Sequence, residues 1–354
     1  MKIGVPGEIK NQEGRVALTP AAVAALVQSG QQVLIQQGAG VRAGFADQHY
    51  QEAGAQLCTT PQQVYDEAEV LVKVKEPQAS EVGWLRPGQL LFCYLHLAAA
   101  ADLTSQLQER RVSALAFETV SAPDGKLPLL APMSRIAGAL AIQLASVYLT
   151  AVQGGKGCLM AAIPGLPRTQ VVVLGGGVAG TQAALLAAQM GAQVKVFEQR
   201  PEVCERLGQL HPGVTPLPAV AGPMGEAIAS ADLLVGAVLV PGAKAPKLVP
   251  RSWVAAMPKG SVIVDISVDQ GGCIETIHAT THTEPTYVEE GVVHCAITNL
   301  PGIVPHSATQ ALSSVLLSYV QQLAQAGTQW QQLPWVQSAL NVHQGKVQLA
   351  ALTR

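Results

Sequence analysis

Val171-Val-Val-Leu-Gly-Gly-Gly-Val-Ala-Gly180, followed by Val194-Lys-Val-Phe-Glu198, is the stretch that decides the fold. A short apolar run reads as a strand ending in a glycine-rich turn. Thr181 to Met190 has a helical pattern, and a second apolar strand then closes on an acid. Strand, G-x-G-x-x-G, helix, strand and acid in that order form a dinucleotide-binding βαβ unit. Gly175 serves the tight turn, Gly177 the approach of backbone to a pyrophosphate, and Gly180 the close packing of helix on strand. The helix N-terminus offers N–H groups and a positive dipole end to the phosphates. Glu198 falls where a ribose diol would lie, and a carboxylate there repels a 2′-phosphate, so the expected cofactor is NAD rather than NADP. A glycine-rich surface turn is the plain alternative. A lone G-x-G-x-x-G would leave it open, whereas the ordered set argues against it.

The chain's 354 residues suit about two domains. With 49% hydrophobic and only 13% charged residues, it has material for large cores and for subunit interfaces. A net charge of −2 gives no basic field for nucleic acid or an anionic membrane. No apolar run is long enough to span a bilayer, and Met1-Lys-Ile-Gly-Val-Pro6 begins a strand rather than a secretion signal. Cys58, Cys93, Cys158, Cys204, Cys273 and Cys295 are scattered without a C-x-x-C pair. That pattern favours buried free thiols in a reducing cytoplasm over disulfides or a metal site.

Around the glycine turn, strands alternate with helices. Strand-like runs fall at 3–6, 32–35, 70–75, 90–95 and 113–118, and helical stretches at 20–29, 61–68 and 100–110. Thr19 is placed to cap the helix that Pro20 opens. Alternation of this kind implies a parallel sheet covered on both faces. A long apolar helical pattern from Met133 to Thr150, with Gly138 inside it, leads through a glycine- and proline-rich loop to the dinucleotide unit. Further strands follow at 233–238, 262–266 and 292–297. A second long helix, Ser307 to Ala326, stops at Gly327 and returns the chain to the first domain. The expected fold is α/β, with two Rossmann-like parallel-sheet domains joined by long helices. The dinucleotide domain, 131–305, is inserted into a discontinuous substrate domain, 1–130 with 306–354.

In open α/β sheets, ligands gather outside the carboxyl ends of the strands. Lys75 ends the run Val70-Leu-Val-Lys-Val-Lys75, His96 ends Leu90-Leu-Phe-Cys-Tyr-Leu-His96, and Arg15 lies in the loop after the first strand. An arginine and a lysine suit an anionic substrate such as a carboxylate, and a histidine beside them can trade a proton near neutral pH. Singly, each is more often a solvated charge, a helix cap or a core donor; together at successive strand ends they point to a site. Asp269 falls just past the strand at 262–266, with Gln270, Gly271 and Gly272 expected to bring backbone close to a ligand. Asp265 reads as structural. Asn299 ends the next strand and is a candidate to bond cofactor or substrate.

Glu13-Gly-Arg-Val-Ala-Leu-Thr-Pro20, Val74-Lys-Glu-Pro77, Tyr94-Leu-His96, Pro132-Met-Ser134, Gly236–Lys247 and Val268-Asp-Gln-Gly-Gly-Cys273 resemble the L-alanine dehydrogenase family. The likeness covers essentially the whole chain. It implies reversible oxidative deamination of L-alanine by NAD to pyruvate, ammonium and NADH, in a cytoplasmic homohexamer. It further implies that His96 and Asp269 are the acid–base pair, that Arg15 and Lys75 bind the substrate's carboxylate and carbonyl region, and that Tyr94, Met133, Asn299 and Leu300 line its pocket. Around NAD it places Ser134, Gly175, Gly177, Val178, Ala179, Gly180, Glu198, Val238, Leu239, Ile266, Ser267, Val268, Asp269, Ile297 and Asn299, and it implies no metal.

There are departures from the family pattern. Arg135 and Ala139 replace a usual glutamate and arginine four apart, which reads as loss of a surface pair worth little. Val203 and His278 stand where basic residues usually help hold the cofactor's outer half. Leu300 replaces a methionine.

Three other readings compete. The soluble NAD-binding part of a proton-pumping transhydrogenase should lack the Val-Asp-Gln-Gly block and continue toward membrane helices. A non-catalytic metabolite sensor should have lost one of Arg15, Lys75, His96 or Asp269. A dehydrogenase of lysine-derived amino acids would need a roomier pocket.

Overall fold

Each of these short apolar runs becomes a strand of one of two sheets. The computed structural model describes residues 1–239 and 244–349. It divides into one unit of Met1–Met133 with Gly302–Arg354 and another of Ser134–Pro301. Of the stretch 236–247, positions 240–243 lie outside the described residues, as do the last five of the chain.

The first unit opens with β1 (Lys2–Val5), β2 (Gln32–Gln36), β3 (Gln56–Cys58), β4 (Val70–Val72), β5 (Leu90–Cys93) and β6 (Ser113–Ala116). These six are parallel in the order β3-β2-β1-β4-β5-β6, with Ile3 in register with both Val33 and Val70. The second unit carries β7 (Gln170–Leu174), β8 (Gln193–Glu198), β9 (Val214–Pro218), β10 (Leu233–Gly236), β11 (Val262–Asp265), β12 (Thr286–Glu289) and β13 (Val292–Cys295). Its order is β12-β13-β11-β10-β7-β8-β9, and Leu233 registers with both Val171 and Val262. Both sheets are therefore doubly wound, reversing direction between β1 and β4 in one and between β7 and β10 in the other. Central strands such as β10 and β11 are buried along their whole length. That burial on both faces explains why they read as unbroken apolar runs.

Neither sheet is wholly parallel. β14 (Leu340–His343) and β15 (Lys346–Val347) come from the C-terminal segment, and β14 pairs antiparallel with β6. β12 likewise pairs antiparallel with β13. None of these three strands, nor β3 and β9, is marked in the sequence. β9 contains Pro216 and Pro218, which an edge strand tolerates because its outer N–H groups are unpaired anyway. β4 stops at Val72, short of the expected Lys75. There the Val74 N–H turns to the Glu8 carboxylate at 2.6 Å.

Local rules set the helix ends. Thr19 accepts from the Ala22 N–H at 3.3 Å and caps the helix Pro20–Gln28. The long helix Ala131–Tyr148 needs Gly138, because a Cβ there would lie 2.2 Å from the Ala179 carbonyl oxygen. The helix Pro305–Ala326 ends at Gly327, whose φ is 53°, and belongs to the first unit; its Thr309 hydroxyl accepts from the Val16 N–H at 3.1 Å. The helix after the glycine turn spans Val178–Gln189, three residues ahead of the expected Thr181, so Gly180 lies inside its first turn. A Cβ on Gly180 would meet the Gly175 carbonyl oxygen at 1.9 Å. Gly180→Ala must push helix from strand, and is expected to cost about 1–3 kcal/mol, the usual range for overpacking. A lowered urea midpoint checks it.

Candidate active site

In the first unit the groups of interest gather at the carboxyl side of the switch point. The loop after β1 brings Glu8, Glu13 and Arg15 there. Arg15 is buried and forms a fork on Glu13, Nε to Oε1 at 2.7 Å and Nη2 to Oε2 at 2.6 Å. Its Nη1 reaches the Met133 sulfur at 3.1 Å. Burial opposes the guanidinium charge, but Glu13 outweighs it and holds the Arg15 pKa above its ordinary value.

Lys73, just past β4 and two residues before Lys75, is fully buried between Glu81 at 2.8 Å and Glu8 at 3.4 Å. Tyr65 also donates to Glu81 at 2.9 Å. Burial pushes the Glu8 carboxyl up despite Lys73 beside it. This buried network pins the β4 end from which Lys75 projects. Lys75 itself is buried, and its neighbour Glu76 pairs with Lys10. Burial acts against the Glu76 charge, but Lys10 holds that carboxyl below its usual range.

His96 follows β5 in a left-handed conformation, φ 49° and ψ 37°, unusual for a residue with a side chain. Glu118, just beyond β6, supports it: Glu118 Oε1 accepts the His96 N–H at 2.6 Å and lies 4.0 Å from Nδ1. The His96 ring is half exposed and stacks on Tyr94, centroids 6.0 Å apart with planes 7° apart. Tyr94 is buried, donates to the Leu129 carbonyl at 2.6 Å, and has its phenol pKa raised mainly by burial.

In the second unit, Gly175 has φ 93°, and a Cβ on it would lie 2.7 Å from the Ala237 carbonyl oxygen. Only glycine meets both conditions. Gly177 is the N-cap of the helix Val178–Gln189 and makes no side-chain cap; a Cβ on it would meet nothing within 4 Å. There is thus open space beside Gly177 at a helix N-terminus, which fits a bound pyrophosphate. Val178 is exposed and Ala179 half-buried at that end, and Ser134 is half-buried.

Beyond β10, the Val238 N–H donates to the Ser267 hydroxyl at 2.9 Å, while Leu239 is exposed. Ile266–Gln270 form a 3-10 turn in which Ser267 and Val268 are buried. Asp265 is structural: its two oxygens accept the Ser267 and Cys273 N–H groups, each at 2.8 Å. Asp269 is exposed, and its Oδ1 accepts the Asn299 N–H at 3.3 Å, so these two candidates do meet. Ile297 and Leu300 flank that point and are buried. Gly272 differs from its expected role. A Cβ there would strike Ile277 at 2.2 Å and Asp265 at 2.9 Å, so its glycine serves the chain's own packing.

Glu198 ends β8 and is buried. Burial works against its charge, but hydrogen bonds from Arg200 and the Gly176 amide outweigh it and draw its carboxyl down to about 2. Val203 packs under the turn: a Cβ on Gly176 would lie 2.9 Å from it. Glu8, Glu13, Lys73, Glu118 and Arg200 are the residues that sequence reasoning missed. Lys73 alone left a signal, a charge inside the apolar run 70–75. The six cysteines are free, four of them buried and Cys158 and Cys204 only half-buried, which corrects the expectation of six buried thiols.

Two switch points, one with a glycine turn and the other with Arg15, Lys75 and His96, define a dinucleotide-binding oxidoreductase of the dehydrogenase type. Sequence profiles agree: "Alanine dehydrogenase/PNT, N-terminal domain" matches residues 4–137, and the C-terminal domain of the same name matches residues 141–350. The chain belongs to the alanine dehydrogenase/PNT family. It is 46% identical to the alanine dehydrogenase of Halomonas elongata, over 99% of this chain and 96% of that one. Against that of Bacillus subtilis it is 47% identical over 92% and 86%. Among solved structures, an L-alanine dehydrogenase matches with TM-score 0.96 and 48% identity, covering 100% of this chain and 98% of that one. A transhydrogenase from Sinorhizobium meliloti matches with TM-score 0.86 and 26% identity, over 99% and 100%. Among the described residues, no helix is long and apolar enough to cross a membrane.

The depressed Glu198 pKa has a pH signature. Its ionised form contributes stability that is present in full above its ordinary value of 4.5 and is lost as pH falls toward about 2. Glu198→Gln is expected to be less stable than the parent at pH 7, with the gap in urea midpoint narrowing from pH 4.5 to pH 3. A gap that stays constant across that range would contradict the ion-paired state.

Proposed function

We propose that the protein catalyses the reversible oxidative deamination of L-alanine to pyruvate and ammonium with NAD. The observation that carries this reading is that Arg15, Lys75 and His96 all lie in the segments that follow the adjacent strands β1, β4 and β5. It is supported by relatives named alanine dehydrogenase at 45–47% identity. In this reading 1–130 with 306–354 is the substrate domain and 131–305 the NAD domain. Gly175 to Gly180 hold the pyrophosphate and Glu198 the adenosine ribose. Ser134, Val238, Leu239 and the Ile266–Asp269 turn, with Ile297 and Asn299, hold the nicotinamide half. When bound, the nicotinamide ring supplies the hydride acceptor.

The chain's own residues do the rest. Arg15, held rigid by Glu13, fixes the substrate carboxylate so that Cα–H has one orientation. On the family resemblance, Tyr94, Met133, Asn299 and Leu300 line the small substrate pocket. Loss of hydride from Cα leaves an iminium that water must attack. One of His96 and Asp269 takes the water's proton and the other protonates the departing amine. Lys75 and His96 polarise the developing carbonyl oxygen. On the family resemblance, the enzyme is a cytoplasmic homohexamer.

His96→Ala and Asp269→Ala are each expected to lower NADH formation from L-alanine by about 10² or more, the range for losing an acid–base group. NAD binding, followed by tryptophan fluorescence, should persist. Turnover retained in either variant would overturn its role. In an NADH-absorbance assay, L-alanine should exceed amino acids with larger side chains, and pyruvate with ammonium should exceed larger 2-oxo acids. NAD should give a higher kcat/KM than NADP.

A further inference from the structure

Glu198, read above as the ribose acceptor, is already occupied. Its Oε1 accepts the Gln199 N–H at 2.8 Å, the Arg200 N–H at 3.1 Å and Arg200 Nε at 3.1 Å. Its Oε2 accepts the Gly176 N–H at 2.8 Å and Arg200 Nη2 at 3.0 Å. A carboxylate offers about four lone-pair sites, so a ribose diol cannot bond it well while the Arg200 fork is in place. The fork can leave without stranding the acid, because three backbone N–H groups remain on it. The Arg200 side chain is 56% exposed, so solvent can take over its bonds when it turns from Glu198. Once turned outward, a guanidinium beside the ribose matches a phosphate with two parallel hydrogen bonds, which it cannot do for a hydroxyl. Arg206, on the helix Pro201–Gly208, stands at the same turn and donates to the Gly176 carbonyl at 3.1 Å and to Thr181 Oγ1 at 3.2 Å. Val203, between them, has no charge to offer.

We propose that Arg200 is a specificity-determining residue at the adenosine ribose. By turning from Glu198 to the phosphate it offsets the repulsion of that acid, so that the turn accepts the 2′-phosphorylated dinucleotide as a weaker second ligand. The proposal rests on Glu198 being the ribose site.

Isothermal titration of the full-length protein with ADP-ribose and with 2′-phospho-ADP-ribose tests it without turnover. In the parent, both should bind, with the plain ligand favoured by no more than about tenfold. Arg200→Ala should widen that ratio at least tenfold further, chiefly by weakening the phosphorylated ligand. Arg200→Lys, which keeps the charge and loses the fork, should fall between, and a cooperative urea transition in each variant, at a midpoint somewhat below the parent's, would show that both fold. A ratio within twofold of the parent in Arg200→Ala, or no binding of the phosphorylated ligand to the parent, overturns the proposal. If Glu198→Gln also leaves both affinities unchanged, the ribose assignment falls with it. If Glu198→Gln shifts the ratio and Arg200→Ala does not, Arg200 alone is excluded.

Discussion

A carbonyl oxygen occupies the space where Gly180 would carry a side chain. The first turn of the helix Val178–Gln189 lies so close to the end of β7 that a Cβ would sit 1.9 Å from the Gly175 oxygen. Much of the second unit depends on that approach. It sets the helix N-terminus directly beyond the strand, forces Gly175 into the left-handed region, and leaves open space at Gly177. The same helix receives a second one equally closely at Gly138. Two glycines far apart in sequence therefore bring backbone to backbone on either side of one helix. The open helix N-terminus is a consequence of this packing rather than an addition to it.

The first unit has the same winding and a different device at its switch point. Where the second unit presents backbone N–H groups, the first presents side chains held by buried ion pairs. Lys73 sits between Glu8 and Glu81, and Arg15 is forked on Glu13. Such pairs add little net stability against a well-packed apolar alternative, since desolvation offsets most of the attraction, but losing one partner is costly. Their use here is geometric. Glu8 accepts the Val74 N–H, which ends β4 and fixes the backbone on which Lys75 stands. Glu118 does the same for His96 through its N–H, holding a conformation that a free chain rarely adopts.

Similarity to both alanine dehydrogenases and a transhydrogenase follows from this division of labour. Doubly wound sheets with a glycine turn are common to many nucleotide enzymes, and the scaffold alone does not select a substrate. The segments beyond the strands differ in kind: Asp269 meets Asn299 there, and Tyr94 stacks on His96.

Local patterns sufficed for the central strands, for the Thr19 cap and for the glycine turn, but placed Lys75 and His96 at strand ends that lie three residues earlier, at Val72 and Cys93. These features depend on neighbours a few residues away, and apolar period, capping chemistry and glycine spacing record them directly. Edge strands were not legible. β9 is disguised by prolines, while β12, β14 and β15 exist only because another strand offers an unpaired edge. The partners of the candidate site were hidden for the same reason. Glu8 meets Lys73 across 65 positions, Glu118 meets His96 across 22, and the Val74 N–H turns to Glu8 while its carbonyl still accepts the Tyr94 N–H. Arg200 lies two residues from Glu198, yet nothing in the order of residues says that the acid faces inward and that the guanidinium folds back onto it. The amino-acid sequence by itself determined which segments form strands, helices and the dinucleotide turn. Only the tertiary structure decided which charges are buried together, because burial and pairing are properties of groups that the fold brings into contact.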